Sequence, residues 1–180
     1  MKPSLPISHG RLRPAVADNL DDLVRLLHDE KVRRYLCDDT ALPRETVAAM
    51  LADSERLDSQ GLGLWAIEHM HADFVGIVGL LPVSAEAGTA PEMVGGVEPI
   101  IALSPQRWGQ GLAGEVLAAL IRYAHGSLGL RCLVAAVDQP NARSHRLMQG
   151  CGFAVMGAAR GPANDLVLYR LPLGDGKMPK

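Results

Sequence analysis

The chain has 180 residues, 48% of them apolar and 21% charged, with a formal net charge of −2. That length suits one domain with a real core, and the composition is globular rather than disordered. Slight net acidity and only 4% aromatic residues argue against nucleic acid as the main partner, and no apolar run approaches the roughly 20 residues of a membrane span.

The start, "MKPSLPISHG", lacks the basic-then-apolar order of a signal peptide. Cys37, Cys132 and Cys151 are odd in number and unpatterned, which reads as reduced thiols in a cytoplasmic protein. "RLRPAV" reads as a first strand. Asp18 then precedes Leu20, Leu23, Val24 and Leu27, a helical stripe with Asp18 as its side-chain cap. A second helix follows Pro43, with Val47, Met50 and Leu51 inward. "LGLWAIEHM" and "FVGIVGLLPV" are the second and third strands, joined as a hairpin near His71-Ala-Asp73. "SAEAGTAPEMVGG" reads as a flexible loop. "VEPIIAL" is the fourth strand, where Pro99 points to an edge, a bulge or a gap in pairing.

Leu112, Ala113, Val116, Leu117, Leu120, Ile121 and Ala124 make the next segment a helix that Gly126 ends. "RCLVAAV" is the fifth strand, "NARSHRLMQG" a short helix, and "GFAVMG" and "DLVLYRL" two closing strands. The expectation is a mixed α/β fold around one sheet, a single domain over residues 1–173 with a frayed tail over 174–180.

Gly109, Gly111 and Gly114 spell G-x-G-x-x-G between the fourth strand and its helix. A helix start offers unpaired N–H groups and partial positive charge, and glycines let a phosphate approach the main chain. Charge is distributed to suit: residues 1–100 carry 9 Lys/Arg against 16 Asp/Glu, a balance of −7, and residues 101–180 carry 9 against 4, a balance of +5. An acidic first half and a basic second half would receive a cation and an anion respectively, although solvated surface charge alone produces the same numbers. A dinucleotide fold has Asp138 in its favour as a ribose-binding acid. Against it, "SPQRW" separates strand from glycines, only one further α–β crossover follows, and too many strands precede. A Walker A loop is excluded because no Lys-Ser or Lys-Thr follows the glycines.

"VEPIIALSPQRWGQGLAGEVLAALIRYAHGSLGLRCLVAAVDQPNARSHRLMQGCGF" resembles the cofactor half of the GNAT superfamily of acetyltransferases. Within it, the resemblance is to the RimJ/RimL-type branch, which includes enzymes acetylating the N-termini of ribosomal proteins. The matching residues are Glu98, Trp108-Gly109-Gln110-Gly111-Leu112-Ala113, Glu115, Asn141-Ala-Arg-Ser144 and Gly152-Phe153, in order and at family-like spacing. "LRPAVADNLDDLVRLL" and "VRRYL" resemble that branch's opening strand and helices. The resemblance implies a mostly antiparallel central sheet whose parallel fourth and fifth strands splay to admit the pantetheine arm, flanked by helices. It implies acetyl-CoA as co-substrate and no metal. The cofactor contacts it implies are Ile101, Ala102 and Leu103 on the fourth strand, Trp108, Gly109, Gln110, Gly111, Leu112, Ala113 and Gly114 in the loop and helix start, and Asn141 and Ser144. Arg107 is a candidate for an added phosphate contact.

Amine acetylation needs a base for the amine and a proton for the departing thiolate. By the resemblance Ser144 is the general acid; read from the residues alone, Asn141 is an N-cap and Ser144 an ordinary third helical position. Glu98 is the candidate base, with Glu68 and Glu92 as alternatives. His69 and His71 form a pair without a third metal ligand. The implied function is an acetyl-CoA-dependent N-acetyltransferase whose acidic N-terminal half shapes the cleft for a primary amine, on a protein N-terminus or a small molecule. A non-catalytic acyl-CoA-binding module is the alternative. Family habit would add a homodimer; neither nucleic acid nor membrane is expected as a partner.

Overall fold

The computed structural model describes residues 1–69, 73–85 and 90–174. Two antiparallel sheets form its centre. The larger one runs β1 (Leu5–Ile7), β2 (Gly10–Pro14), β3 (Gly63–His69), β4 (Phe74–Pro82) and β5 (Val97–Leu103) in chain order. The smaller is ordered β6 (Cys132–Asp138), β8 (Asp165–Pro172), β7 (Ala154–Arg160). Between β5 and β6 no ladder forms, and a crossover helix, the connection a parallel pair requires, links them. This is the mixed α/β architecture with splayed fourth and fifth strands expected from the sequence, renumbered by one because of β1.

β3 is buried from Gly63 to Ile67 because both faces are covered, so it lacks the alternation of a half-exposed strand. One face packs on α4 (Leu112–Gly126), through Val116, Leu117 and Leu120, together with Trp65 and Ile67. The other is covered by α1 (Leu20–His28), α2 (Glu30–Leu36) and α3 (Arg44–Arg56), whose Leu23, Leu27, Val47 and Leu51 meet Leu64, Ile77 and Ala102. α5 (Ala142–Gly150) follows β6.

Four expectations change. The strands form two sheets rather than one, because no ladder joins β5 to β6. Leu5–Ile7 is a strand, paired in a hairpin with β2; its three residues are too few to show a period. Asp18 is not a cap: residues Ala17–Asn19 form a 3₁₀ turn in which the Asn19 Oδ1 accepts the Val16 N–H at 3.1 Å. The loop after β4 is anchored at its end, since Met93 is fully buried with Val83, Ala90, Val134 and Leu168. Residues 86–89 of that loop, the hairpin residues 70–72 and the tail 175–180 lie outside the described residues.

A buried hydroxyl is among the groups that tie down the N-terminus. Ser54 Oγ accepts from the Lys2 ammonium at 3.0 Å and from the Leu64 N–H at 2.7 Å, while Lys2 Nζ sits 5.2 Å from the centre of the Trp65 ring. Ser54→Ala leaves both donors short of a partner. Thermal denaturation is expected to show a loss of about 1–3 kcal/mol, each kcal/mol lowering Tm by roughly 2–4 °C in a chain of this size.

Candidate active site

The segment after β5 is a turn built to expose main-chain donors. Residues Pro105–Arg107 form a 3₁₀ turn, closed by Arg107 N–H to Ser104 C=O at 2.8 Å. Trp108 then plugs the end of the sheet, its indole N–H donating to the Leu103 carbonyl at 2.8 Å. Gly109 (φ 75°) and Gly111 (φ 80°) are left-handed, a conformation that a Cβ disfavours. Gly111 is the N-cap of α4 with no side chain to bond the first-turn N–H groups, so these remain available. A Cβ placed on Gly109, Gly111 or Gly114 would meet no atom within 4 Å. The glycines therefore keep a space open in front of the helix start, and a side chain at any of them would enter it.

The charges agree with an anion there. Among the described residues Arg107 has no carboxylate within 4 Å, and it is only partly exposed. Glu115, the acid of the first turn of α4, is turned aside to accept the Ser8 backbone N–H. Gln110 bonds back to the Gln106 carbonyl at 2.9 Å. Leu112 is buried in the core and Ala113 packs against it, so their side chains hold the helix while their N–H groups face the loop opening. This loop fits a diphosphate.

The split between β5 and β6 is the second part. The Ser104 N–H bonds the Val75 carbonyl and the Val83 N–H bonds the Gly96 carbonyl, which fixes the pairing: even-numbered residues of β5 turn their main chain to β4. Val97, Pro99, Ile101 and Leu103 turn theirs to the split. Pro99 thus places its missing N–H where no ladder exists, the edge reading of that residue. Ala102 has its main chain on β4 and its side chain buried, so it offers the split nothing. Ile101 does offer a free N–H and C=O, and Leu103 a carbonyl shared with Trp108.

Glu98 spans the split. Its Oε1 accepts the Ala136 N–H of β6 at 2.7 Å. The residue is partly exposed, but burial of its carboxyl pushes the pKa up, only partly offset by the Ala136 hydrogen bond. At the end of β6, Asn141 is the N-cap of α5, its Oδ1 accepting the Ser144 N–H at 3.2 Å. The Ser144 side chain is partly exposed, and its hydroxyl has no hydrogen-bond partner among the described residues. Arg143, which no motif singles out, stacks on Trp108 at 4.6 Å. That contact joins the glycine loop to the start of α5 across the mouth of the split.

Other candidates fall away from this centre. Glu68 is desolvated, which raises its pKa, but the hydrogen bonds and charges of Arg13 and Arg11, each at 2.7 Å, outweigh burial and hold it below the usual range. It is a structural ion pair rather than a base. Glu92 is exposed on a 3₁₀ turn. Asp138 accepts from the Asn164 amide at 3.1 Å, locking β6 to the β7–β8 turn. His69 stacks on His9, and His71 lies outside the described residues. Tyr123 donates to the Gly61 carbonyl at 3.1 Å and Tyr169 bonds His145 at 2.8 Å, so the hydroxyls of these two tyrosines are engaged.

Known proteins share the sequence pattern and the fold. The model of the acetyltransferase (GNAT) domain matches residues 11–154. FsC-acetyl coenzyme A-N(2)-transacetylase of Aspergillus fumigatus is 33% identical over 92 residues, 51% of this chain and 39% of that protein, so the chain spans well under half its length. The N-acetyltransferase YoaA of Bacillus subtilis, itself uncharacterised, is 26% identical over 162 residues, 89% of this chain and 88% of that one. RimL, a ribosomal L7/L12 α-N-protein acetyltransferase solved in complex with coenzyme A, has the same fold, with a TM-score of 0.77 at 17% identity over 95% of this chain and 98% of that chain. The chain belongs to the GNAT acetyltransferase family.

The raised pKa of Glu98 has a stability consequence with a definite sign. The folded form holds this proton at higher pH than the unfolded chain does, so stability is lost as pH rises from the unfolded value, roughly 4.3, through the folded one. Gln carries no such charge and still presents an oxygen to Ala136. The Tm of Glu98→Gln minus that of the wild type is expected to be near zero at pH 4 and to climb to a positive plateau by pH 8. Thermal melts across that range check it; a difference that is negative or flat contradicts it.

Proposed function

We propose that the chain transfers the acetyl group of acetyl-CoA to a primary amine, on a protein N-terminus or a small molecule, by direct attack of the amine on the thioester. What carries the reading is a convergence: an open glycine loop and a helix start bearing Ser144 flank a split that contains one desolvated carboxylate. The main-chain N–H groups from Gly109 to Gly114, with Arg107, hold the diphosphate. Ile101 and Leu103 present main-chain groups to the pantetheine arm, and Asn141 donates to it from its side-chain amide. When bound, acetyl-CoA supplies the activated acyl carbon.

Glu98 accepts the proton of the amine as the N–C bond forms. Its raised pKa suits a base working near neutrality, since a carboxylate of ordinary acidity is a weaker one. Ser144 donates its proton to the sulfur as the C–S bond breaks, and both residues recover their protonation states through water. The sum is amine and thioester to amide and free thiol. An α-amine, with a reference pKa of about 8 against about 10.4 for lysine, reaches its neutral form with less help, which favours it as acceptor. The unbridged Cys37, Cys132 and Cys151 support a reducing, cytoplasmic setting.

Release of free thiol from acetyl-CoA over a panel of amines tests the activity; no release with any of them refutes it. Gly111→Val puts a side chain into the open space of the loop and is expected to weaken acetyl-CoA binding roughly 10- to 100-fold, the loss of one or two charge-assisted hydrogen bonds. Calorimetry with unchanged affinity would remove the loop from the site. Ser144→Ala is expected to lower kcat roughly 10²-fold with acetyl-CoA affinity retained. Wild-type turnover would move the proton donor elsewhere.

A further inference from the structure

On the face of the larger sheet covered by α1, α2 and α3 lies a cavity of about 450 Å³. Its floor is Ile77 and Leu81 of β4 and Ile100 of β5, and its wall includes Leu36, Leu42 and Met50. The position of Glu98 relative to that floor follows from register. Leu81 is directly opposite Glu98 in the β4–β5 ladder, where side chains stand roughly 5 Å apart. Ile100 is two residues along the same face, about 7 Å away. The cavity thus begins one side chain from the carboxylate that the proposed reaction uses as base.

Its chemistry is selective. The lining holds a single charged residue, Asp38, and no cation. Asp38 is exposed and left-handed (φ 48°), and among the described residues it has no cation within 4 Å, whereas its neighbour Asp39 bonds Arg33 at 3.1 Å. A polyamine or aminoglycoside placed here would bury several ammonium or hydroxyl groups against leucine and isoleucine, which offer nothing to offset their desolvation. A free amino acid would bring a carboxylate next to Asp38 and Glu98 with no cation to receive it. What fits is an amine at the carboxylate end and one neutral, bulky apolar group in the cavity, which lies in the range of about 300–1,000 Å³ typical of small-molecule sites.

Resting on the acetyltransferase reading, we infer that the acceptor is a primary amine carrying a single aliphatic or aromatic substituent close to the nitrogen, and that the cavity lined by Leu36, Met50, Leu81 and Ile100 is its specificity pocket. The apolar group selects the acceptor, and the acidic rim draws in its protonated form before the proton is lost.

Thiol release is measured with 2-phenylethylamine, with a pentapeptide beginning in leucine, and with spermidine, L-leucine and a pentapeptide beginning in aspartate. Either of the first two is expected to exceed the other three about tenfold or more in kcat/KM; which of the two leads tells a small amine from a polypeptide N-terminus. Leu36→Asp, at a position already 37% exposed, is expected to remove that preference. The acetyl-CoA thermal shift of the variant must match wild type to show that it folds; Leu36→Phe, which only narrows the cavity, is expected to slow the bulkiest amines selectively. Cys37, which also lines the cavity, supplies a readout without turnover: 2-phenylethylamine is expected to slow its alkylation by iodoacetamide, followed by peptide mass. Equal or faster transfer to spermidine, an unaltered preference in both Leu36 variants, or unprotected Cys37 overturns this inference and leaves the acetyltransferase reading standing. If no amine is acetylated, that reading fails, and Cys37 protection alone decides whether the cavity takes apolar amines.

Discussion

The rest of the molecule is arranged around a ladder that is not made. β5 and β6 are seven residues each and lie side by side, yet they belong to separate sheets. Main-chain polar groups left unpaired in a protein interior cost about 1–3 kcal/mol apiece, so such a gap persists only if something limits its cost. Three features do. Pro99 removes one donor from the wall of β5. Trp108 caps the Leu103 carbonyl. Glu98 reaches across to take the Ala136 N–H. What is left, the N–H and C=O of Ile101 foremost, is an edge in want of a partner. An extended ligand with amides of its own, such as a pantetheine arm, supplies the pairing that the second strand withholds.

Two glutamates of the larger sheet show how environment rather than residue type sets a carboxylate's behaviour. Glu68 and Glu98 both stand on strands of the same sheet, and burial pushes the pKa of each upward. Glu68 has two guanidinium groups within hydrogen-bond distance and ends up held low. Glu98 has one neutral amide N–H, too little to offset desolvation. The difference of two arginines turns one glutamate into a clamp for β2 and leaves the other with a raised pKa, as the base proposed above requires.

Much of this was legible in the chain. The 3.6-residue stripe of α4, the glycines before it and the cap at Asn141 are local patterns, and local patterns survive being read without neighbours. The two-residue alternation of β5 is also local, and it suffices to put Glu98, Ile100 and Ala102 on one face. What could not be read depends on distant partners. Three-residue β1 is held by its hairpin pairing with β2, and β2 in turn lies so close to β3 at Gly10 that the Glu68 carbonyl would be 2.0 Å from any Cβ there. Met93 is fixed by Val134 and Leu168, more than 40 residues away. The Glu98 contact with Ala136 joins positions 38 apart, and the stacking of Arg143 on Trp108 joins 35. For Asp18, the local rule named a capping side chain where the structure uses none: Asn19 is the N-cap of α1 without a side-chain cap bond, and its Oδ1 instead accepts the Val16 N–H inside a 3₁₀ turn.

In the proposed reaction Asn141 combines a structural role with a chemical one. As a cap it must accept a hydrogen bond from the Ser144 N–H, and only its carbonyl oxygen can do so. That choice fixes the amide: with Oδ1 turned inward to the helix, the NH₂ group and its two donors point away from it. The proposed contact with the cofactor asks for donors, since the pantetheine arm carries carbonyl oxygens. The same bond draws the backbone of residue 144 into the first turn of α5, which sets where the serine hydroxyl stands relative to the amide. Replacing Asn141 by aspartate would keep the cap and lose the donors, whereas serine would keep a cap and one donor on a shorter arm. The fold's demand for an acceptor and the proposed contact's demand for a donor would therefore be met by opposite ends of one carboxamide, and among the capping residues only asparagine puts acceptor and donors on separate atoms.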